Sequence, residues 1–187
     1  VNVPVITLTA ADNSICNPLL AGTSFNGTLT ATVTFKGIPV VDFTDYKFNW
    51  FDGTQVSDPA IAVVNDKNPI LNQLDGGFYT ATVDRISLGC KSLPDTEEVI
   101  NSSALPVITT NAIGSTNCDP ALANGQALVT DVDGAGTGAP YVFQWHTGAN
   151  TASPIGGATS PTLANRQGAV GAFFTVLVTD QSNGCQN

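Results

Sequence analysis

Between Thr28 and Phe35 the chain alternates without a break. Leu29, Ala31, Val33 and Phe35 fall on one side, and Thr28, Thr30, Thr32 and Thr34 on the other. A two-residue period belongs to an extended strand with one buried face, and β-branched Thr suits the wet side. The same period places Tyr46, Phe48 and Trp50 together, as it does Tyr141, Phe143 and Trp145, and also Tyr79, Ala81 and Val83. No stretch keeps apolar residues at i, i+3, i+4 and i+7 for long enough to predict a helix. Short strands punctuated by Gly, Pro, Asn and Asp clusters predict a β-sandwich.

The pattern occurs twice. Residues 3–18 read VPVITLTAADNSICNP and residues 105–120 read LPVITTNAIGSTNCDP. YKFNWFDG at 46–53 answers YVFQWHTG at 141–148, and FYTATVDRISLGC at 78–90 answers FFTVLVTDQSNGC at 173–185. An internal repeat on this scale defines the architecture. We expect one module over residues 1–104 and a second, with shorter loops, over 105–187. In each, an N-terminal strand precedes an alternating strand, a Trp strand and a late strand preceded by Gly. That order predicts an all-β fold of two tandem immunoglobulin-like β-sandwich modules in an extended arrangement, with the Trp of each packed in the core. LDGGFY at 74–79 has the form of a tyrosine corner, which the second copy lacks because Phe174 takes that place. Asp131 stands where Val33 stood, so a bulge or register change is expected there. Residues 97–101 are expected to form the last strand of the first module, and 102–104 a short connector. The second copy is expected to lack the equivalent strand and to expose a sheet edge.

Composition narrows the function classes. Of the 187 residues, 42% are hydrophobic and only 11% charged, and 6 basic against 15 acidic residues give a net charge of −9. Such a surface repels phosphate backbones, so no nucleic-acid partner is expected. No apolar run reaches membrane-spanning length, so no membrane insertion is expected either. The chain opens VNVPVIT, without Met, and reads as an excised piece of a longer mature protein.

The four cysteines allow three pairings. The repeat selects Cys16 with Cys90 and Cys118 with Cys185, because a self-contained module closes its own bridge. Each would clip two loops at one end of a sandwich and stabilise it by about 4 kcal/mol in the chain-entropy model. Disulfides imply an oxidising, extracellular setting. A Cys₄ metal site is the rival reading, but CxxC spacing is missing.

Catalytic chemistry has little to stand on. His146 is the only histidine, and at a strand end it is expected on the surface. No phosphate loop and no HExxH motif occur. Asp131 and Asp133, in DVDGAG, form a weak calcium candidate, since alternating carboxylates on a sharp turn suit a hard cation. A polar turn is the plainer reading, and no cofactor is otherwise expected. Thr rows on outer faces read as soluble sheet surface. Both Trp residues fall on core faces, and the outward aromatics, Phe25, Phe43, Phe51, Phe78 and Phe173, make poor sugar platforms.

PYVFQW, then a Pro-Thr-Leu segment, then FFTVLVTDQSNGC together resemble the tandem repeat modules of giant cell-surface adhesins in gliding Bacteroidota. Those modules end in Val-Thr-Asp followed shortly by Gly-Cys, which Val178, Thr179, Asp180, Gly184 and Cys185 match. The first copy departs from that ending, with VDRISLGC and a long insertion between Trp50 and Tyr79. The resemblance implies export to the cell surface and a repetitive adhesin without enzymatic activity. Its partners would be neighbouring repeat modules and a surface polysaccharide or other extracellular ligand. An accessory carbohydrate-binding module of a secreted polysaccharide-degrading enzyme is the alternative.

Overall fold

The structure is a computed structural model and describes residues 2–168 and 172–187. It is all-β and antiparallel, in immunoglobulin-like sandwich form. The chain divides into two compact units. One takes residues up to Ile15 together with Ser24–Ser103, and the other takes Cys16–Thr23 with Ala104–Asn187. Residues 16–23, which the repeat assigns to the first module, thus belong to the second unit.

In the first unit, β1 (Val5–Ala11) pairs with β2 (Gly27–Phe35), which also pairs with β3 (Ile38–Pro39). The facing sheet centres on β4 (Tyr46–Asp52), flanked by β5 (Ala60–Ile61). Strand β6 (Ile70–Leu74) joins β2 in the first sheet. On the far side of β4 lies β7 (Gly77–Arg85), whose other edge carries β8 (Cys90–Lys91) and β9 (Asp95–Val99). The last strand therefore begins and ends two residues earlier than the sequence pattern suggests.

The alternating strand behaves as its period dictates. Leu29, Ala31 and Val33 are buried against Phe48, Trp50, Ala81 and Val83 in one core. Phe35 departs from it, sitting at the rim under the Arg85 guanidinium, 4.3 Å from the ring centroid. Tyr79 completes the tyrosine corner, its hydroxyl donating to the Asp75 carbonyl at 3.1 Å. One end of the phenol is apolar and buried while the other meets a backbone acceptor, the arrangement a buried Tyr needs.

The second unit follows the same plan over the described residues. β10 (Ile108–Ile113), β11 (Gly125–Val132) and β13 (Thr162–Arg166) form one sheet, and β12 (Tyr141–Thr147) pairs with β14 (Phe174–Asp180) in the other. The pairing of β10 with β11 skips Thr130, between Thr109↔Asp131 and Thr110↔Val129. That bulge turns Asp131 outward and lets both Val129 and Val132 face the core. Trp145 is 2% exposed, as is Trp50, and its indole donates to the Ser160 carbonyl at 2.8 Å.

Truncation of either buried indole should therefore be severe. Trp50→Ala and Trp145→Ala are each expected to destabilise the unit that carries them by about 3–5 kcal/mol, and Tyr79→Phe by about 1 kcal/mol. Denaturant titration followed by circular dichroism measures both, and an indole whose removal shifts nothing would contradict the core assignment.

Candidate functional site

The disulfide joins Cys16 to Cys185, with Cα atoms 4.9 Å apart, and neither of the two pairings expected from repeat symmetry forms. Cys90 and Cys118 are free thiols. Backbone geometry explains the correction. Just after Ile15 the chain enters the second unit, where the Cys16 and Asn17 amides both donate to the Asn183 carbonyl, at 2.8 and 3.3 Å. Asn17 then caps a single helical turn, α1 (Pro18–Ala21), accepting from the amides of Leu19 and Leu20. On the other side Gly184 has φ +72, and a Cβ there would collide with the Asn17 carbonyl. Only glycine meets both demands, the left-handed backbone and the close approach. Cys185 itself is fully buried, whereas Cys118 is exposed and the Cys90 thiol lies 3.5 Å from the Leu88 carbonyl.

Asp131 and Asp133 spend their carboxylates on a turn. Asp131 accepts from the amides of Gly134 and Gly136 at 2.7 and 2.8 Å. Asp133, at φ +55, accepts from the Val107 amide at 2.8 Å and from the Tyr141 hydroxyl at 2.9 Å. The latter bond is the main reason the Tyr141 phenol is raised above its ordinary range. Among the described residues no three His, Cys, Asp or Glu side chains stand together as metal ligands.

His146 is buried, at 4% exposure, rather than on the surface. Residues 153–155 fold back along β12, with Thr147 donating to the Ser153 carbonyl and Ile155 to that of Trp145. This returning segment, bridged to His146 through Pro154, is not announced by the sequence pattern. Neither ring nitrogen has a hydrogen-bond partner among the described residues.

The best-formed polar cluster was not anticipated. Asp45 accepts from Arg85 Nε at 2.9 Å, from the Ser87 amide at 2.8 Å and from the Ser87 hydroxyl at 2.5 Å. These bonds, those from Ser87 first and then Arg85, hold its carboxyl down to about 2. Arg85 in turn lies over Phe35, a cation–π contact that anchors the guanidinium. The cluster ties the turn before β4 to the end of β7. A hollow of about 340 Å³ beside β4 is lined by Lys47, Asn49, Phe51 and Asp66, with Lys47 and Asp66 paired at 3.9 Å. Of the aromatics expected outside, Phe78 and Phe173 are exposed, but Phe25 and Phe51 are half-buried, and Phe43 packs edge-on against Tyr46 and Phe48.

No family model matches the chain, and no curated protein matches it. Among solved structures it is similar to the three N-terminal domains of the bacteriophage RB49 highly immunogenic outer capsid protein (Hoc). The identity is 14% and the TM-score 0.38, over 100% of this chain and 57% of that one.

Two measurements test these assignments. Non-reducing peptide mapping should recover a peptide joining Cys16 to Cys185, with Cys90 and Cys118 open to alkylation. Replacing Cys16 and Cys185 together by Ser should destabilise by up to about 5 kcal/mol, the chain-entropy value for so long a loop; a Cys16–Cys90 peptide would sink the pairing. Acid titration tests Asp45. Its carboxyl falls from 3.8 to about 2 on folding, so its contribution is present above pH 4 and disappears as pH drops through 2. Asp45→Asn should flatten the stability loss between pH 4 and pH 2, and an unchanged slope would count against the cluster.

Proposed function

We propose that this chain is a pair of adhesive or spacer modules from a secreted surface protein, of the tandem-repeat type found in adhesins of gliding Bacteroidota. One observation carries the reading. Apart from the free thiols of Cys90 and Cys118, the side chains singled out for their chemistry serve the scaffold: Asp45 and Arg85 bind each other, Asp131 and Asp133 cap a turn, and His146 is sealed from solvent. What faces outward is instead a Thr-bearing sheet surface. The Cys16–Cys185 bond suits an oxidising, extracellular setting. No helix among the described residues is long and apolar enough to cross a membrane. Burial of both indoles removes the flat platforms a sugar-binding module displays.

A repeat of this kind acts by number, since weak contacts at many modules accumulate into strong attachment. Beads carrying the fragment at rising density should therefore adhere to polysaccharide-coated surfaces with a steep density dependence, while the free fragment binds weakly. Tight binding of one polysaccharide by the free fragment would favour the carbohydrate-binding alternative and overturn the adhesive reading.

A further inference from the structure

We infer that Cys90 and Cys118 are the two halves of a further disulfide of the Cys16–Cys185 kind, made between copies of this chain and joining them head to tail. The bonded pair sets the rule. By the repeat, Cys118 answers Cys16 and Cys185 answers Cys90. The bond that forms therefore joins the leading cysteine of one repeat to the trailing cysteine of the next. Applied to Cys118, the same rule calls for the trailing cysteine of a repeat that follows the second. Cys90 is a trailing cysteine, but within its own chain it belongs to the repeat before Cys118, which is the wrong order. On a second copy that follows this one, Cys90 has the right order. Both halves are free thiols of this chain, so two copies complete the bond with nothing added to the sequence.

Each free half is built like its bonded counterpart. On the leading side, Asn17 caps α1, accepting from the Leu19 amide at 3.0 Å. Asp119 caps the turn Pro120–Leu122 in the same way, accepting from the Ala121 amide at 2.9 Å. Cys16 and Cys118, each just ahead of its cap, are both exposed. On the trailing side, the Cys185 carbonyl accepts from the Asp180 amide, and Cys90 pairs with Arg85, the counterpart of Asp180. Gly184 and Gly89 precede these cysteines with φ +72 and +62.

The two glycines differ in what stands against them. A Cβ on Gly184 would collide with the Asn17 carbonyl, whereas a Cβ on Gly89 would meet nothing within 4 Å. Cys185 is fully buried and Cys90 only half-buried. A second copy's Asp119 carbonyl therefore has room to approach Gly89 as Asn17 approaches Gly184. Formation of the bond follows thiol–disulfide exchange with a small disulfide such as oxidised glutathione. The Cys118 thiolate attacks one glutathione sulfur, and a first glutathione thiolate leaves. The Cys90 thiolate of the second copy then attacks the Cys118 sulfur, and the second glutathione thiolate leaves. Two protein thiols are oxidised, one small disulfide is reduced, and the two protons pass to the released thiolates. Because the two halves are different surfaces, the contact is heterologous, and copies add in a row.

The test incubates the purified protein, its Cys16–Cys185 bond intact, in a buffer of reduced and oxidised glutathione. Non-reducing electrophoresis should show a ladder of oligomers, and peptide mapping should find Cys118 joined to Cys90 at their junctions. Cys90→Ser and Cys118→Ser should each stay monomeric, and the two variants mixed should stop at a dimer. Gly89→Asn tolerates the left-handed backbone but adds a Cβ. It should keep the circular dichroism of the parent and slow ladder growth by at least about tenfold. A ladder from either Ser variant alone would overturn the proposal, as would a Cys90–Cys118 peptide within the monomer. Monomers capped by glutathione and nothing larger, or a Gly89→Asn ladder growing at the parent's rate, would overturn it too. None of these readings uses adhesion, so this proposal and the adhesive one fail separately.

Discussion

Each unit depends on one packing arrangement: a Trp-bearing strand laid against the alternating face of the opposite sheet. A module of this size has little interior, and a single large indole fills much of it. Trp50 with Phe48 on one side meets Leu29, Ala31 and Val33 on the other, and Trp145 with Phe143 meets Val129 and Val132. Strand order, inward residues and the corner bond of Tyr79 all follow from keeping that layer dry. In the second unit the alternation fails at Asp131, and the chain recovers the layer by a single extra residue rather than by giving it up. That tolerance shows which constraint is strict: the core side chains must meet, while the ladder between them is allowed to slip.

The strands and the core were legible in the sequence because both are written in a two-residue period. Leu29, Ala31 and Val33 need only their neighbours to declare which way they face. The tyrosine corner was legible for a similar reason, since Leu-Asp-Gly-Gly-Phe-Tyr places donor and acceptor within one short turn. The disulfide was not. Its formation depends on where residues 16–23 travel after Ile15, and no local periodicity encodes that. The strongest available hint was Gly184, a glycine beside a cysteine, which the structure explains as a close approach to Asn17. His146 was misplaced for a related reason, because the segment that returns beside it is a loop in composition. The cluster of Asp45, Arg85 and Ser87 joins residues some forty positions apart, with nothing in either stretch to announce the other.

The two units also show how one repeat pattern accommodates different local solutions. Most of the framework survives, including the Asn-Gly turn, the Trp strand and the late strand with its trailing Gly-Cys. What differs is the finishing: the first unit has an ion pair over an aromatic ring and a phenol bonded to backbone, while the second has a caps-and-turns solution around Asp131 and Asp133, with the Tyr141 phenol bonded to a carboxylate. The carboxylates of Asp45, Asp131 and Asp133 are taken up by these turns and pairs, while Thr7, Thr9 and Thr32 face outward beside other polar residues such as Lys47 and Asn72.

The Cys16–Cys185 bond closes a covalent ring around a sequence separation of 169 residues. Tension that enters the chain before Cys16 and leaves after Cys185 therefore crosses from one sulfur to the other, and the segment between them is bypassed. The separation of 169 residues held inside the ring, roughly 590 Å at ~3.5 Å per residue when extended, is withheld from the pull while the bond is intact. Within the first unit the strand in series with the force is β1, which would be drawn off β2 while the Trp50 layer behind it stays under no direct load. Oxidised, the segment from Cys16 to Cys185 transmits force without lengthening; reduced, the same segment becomes free to pay out.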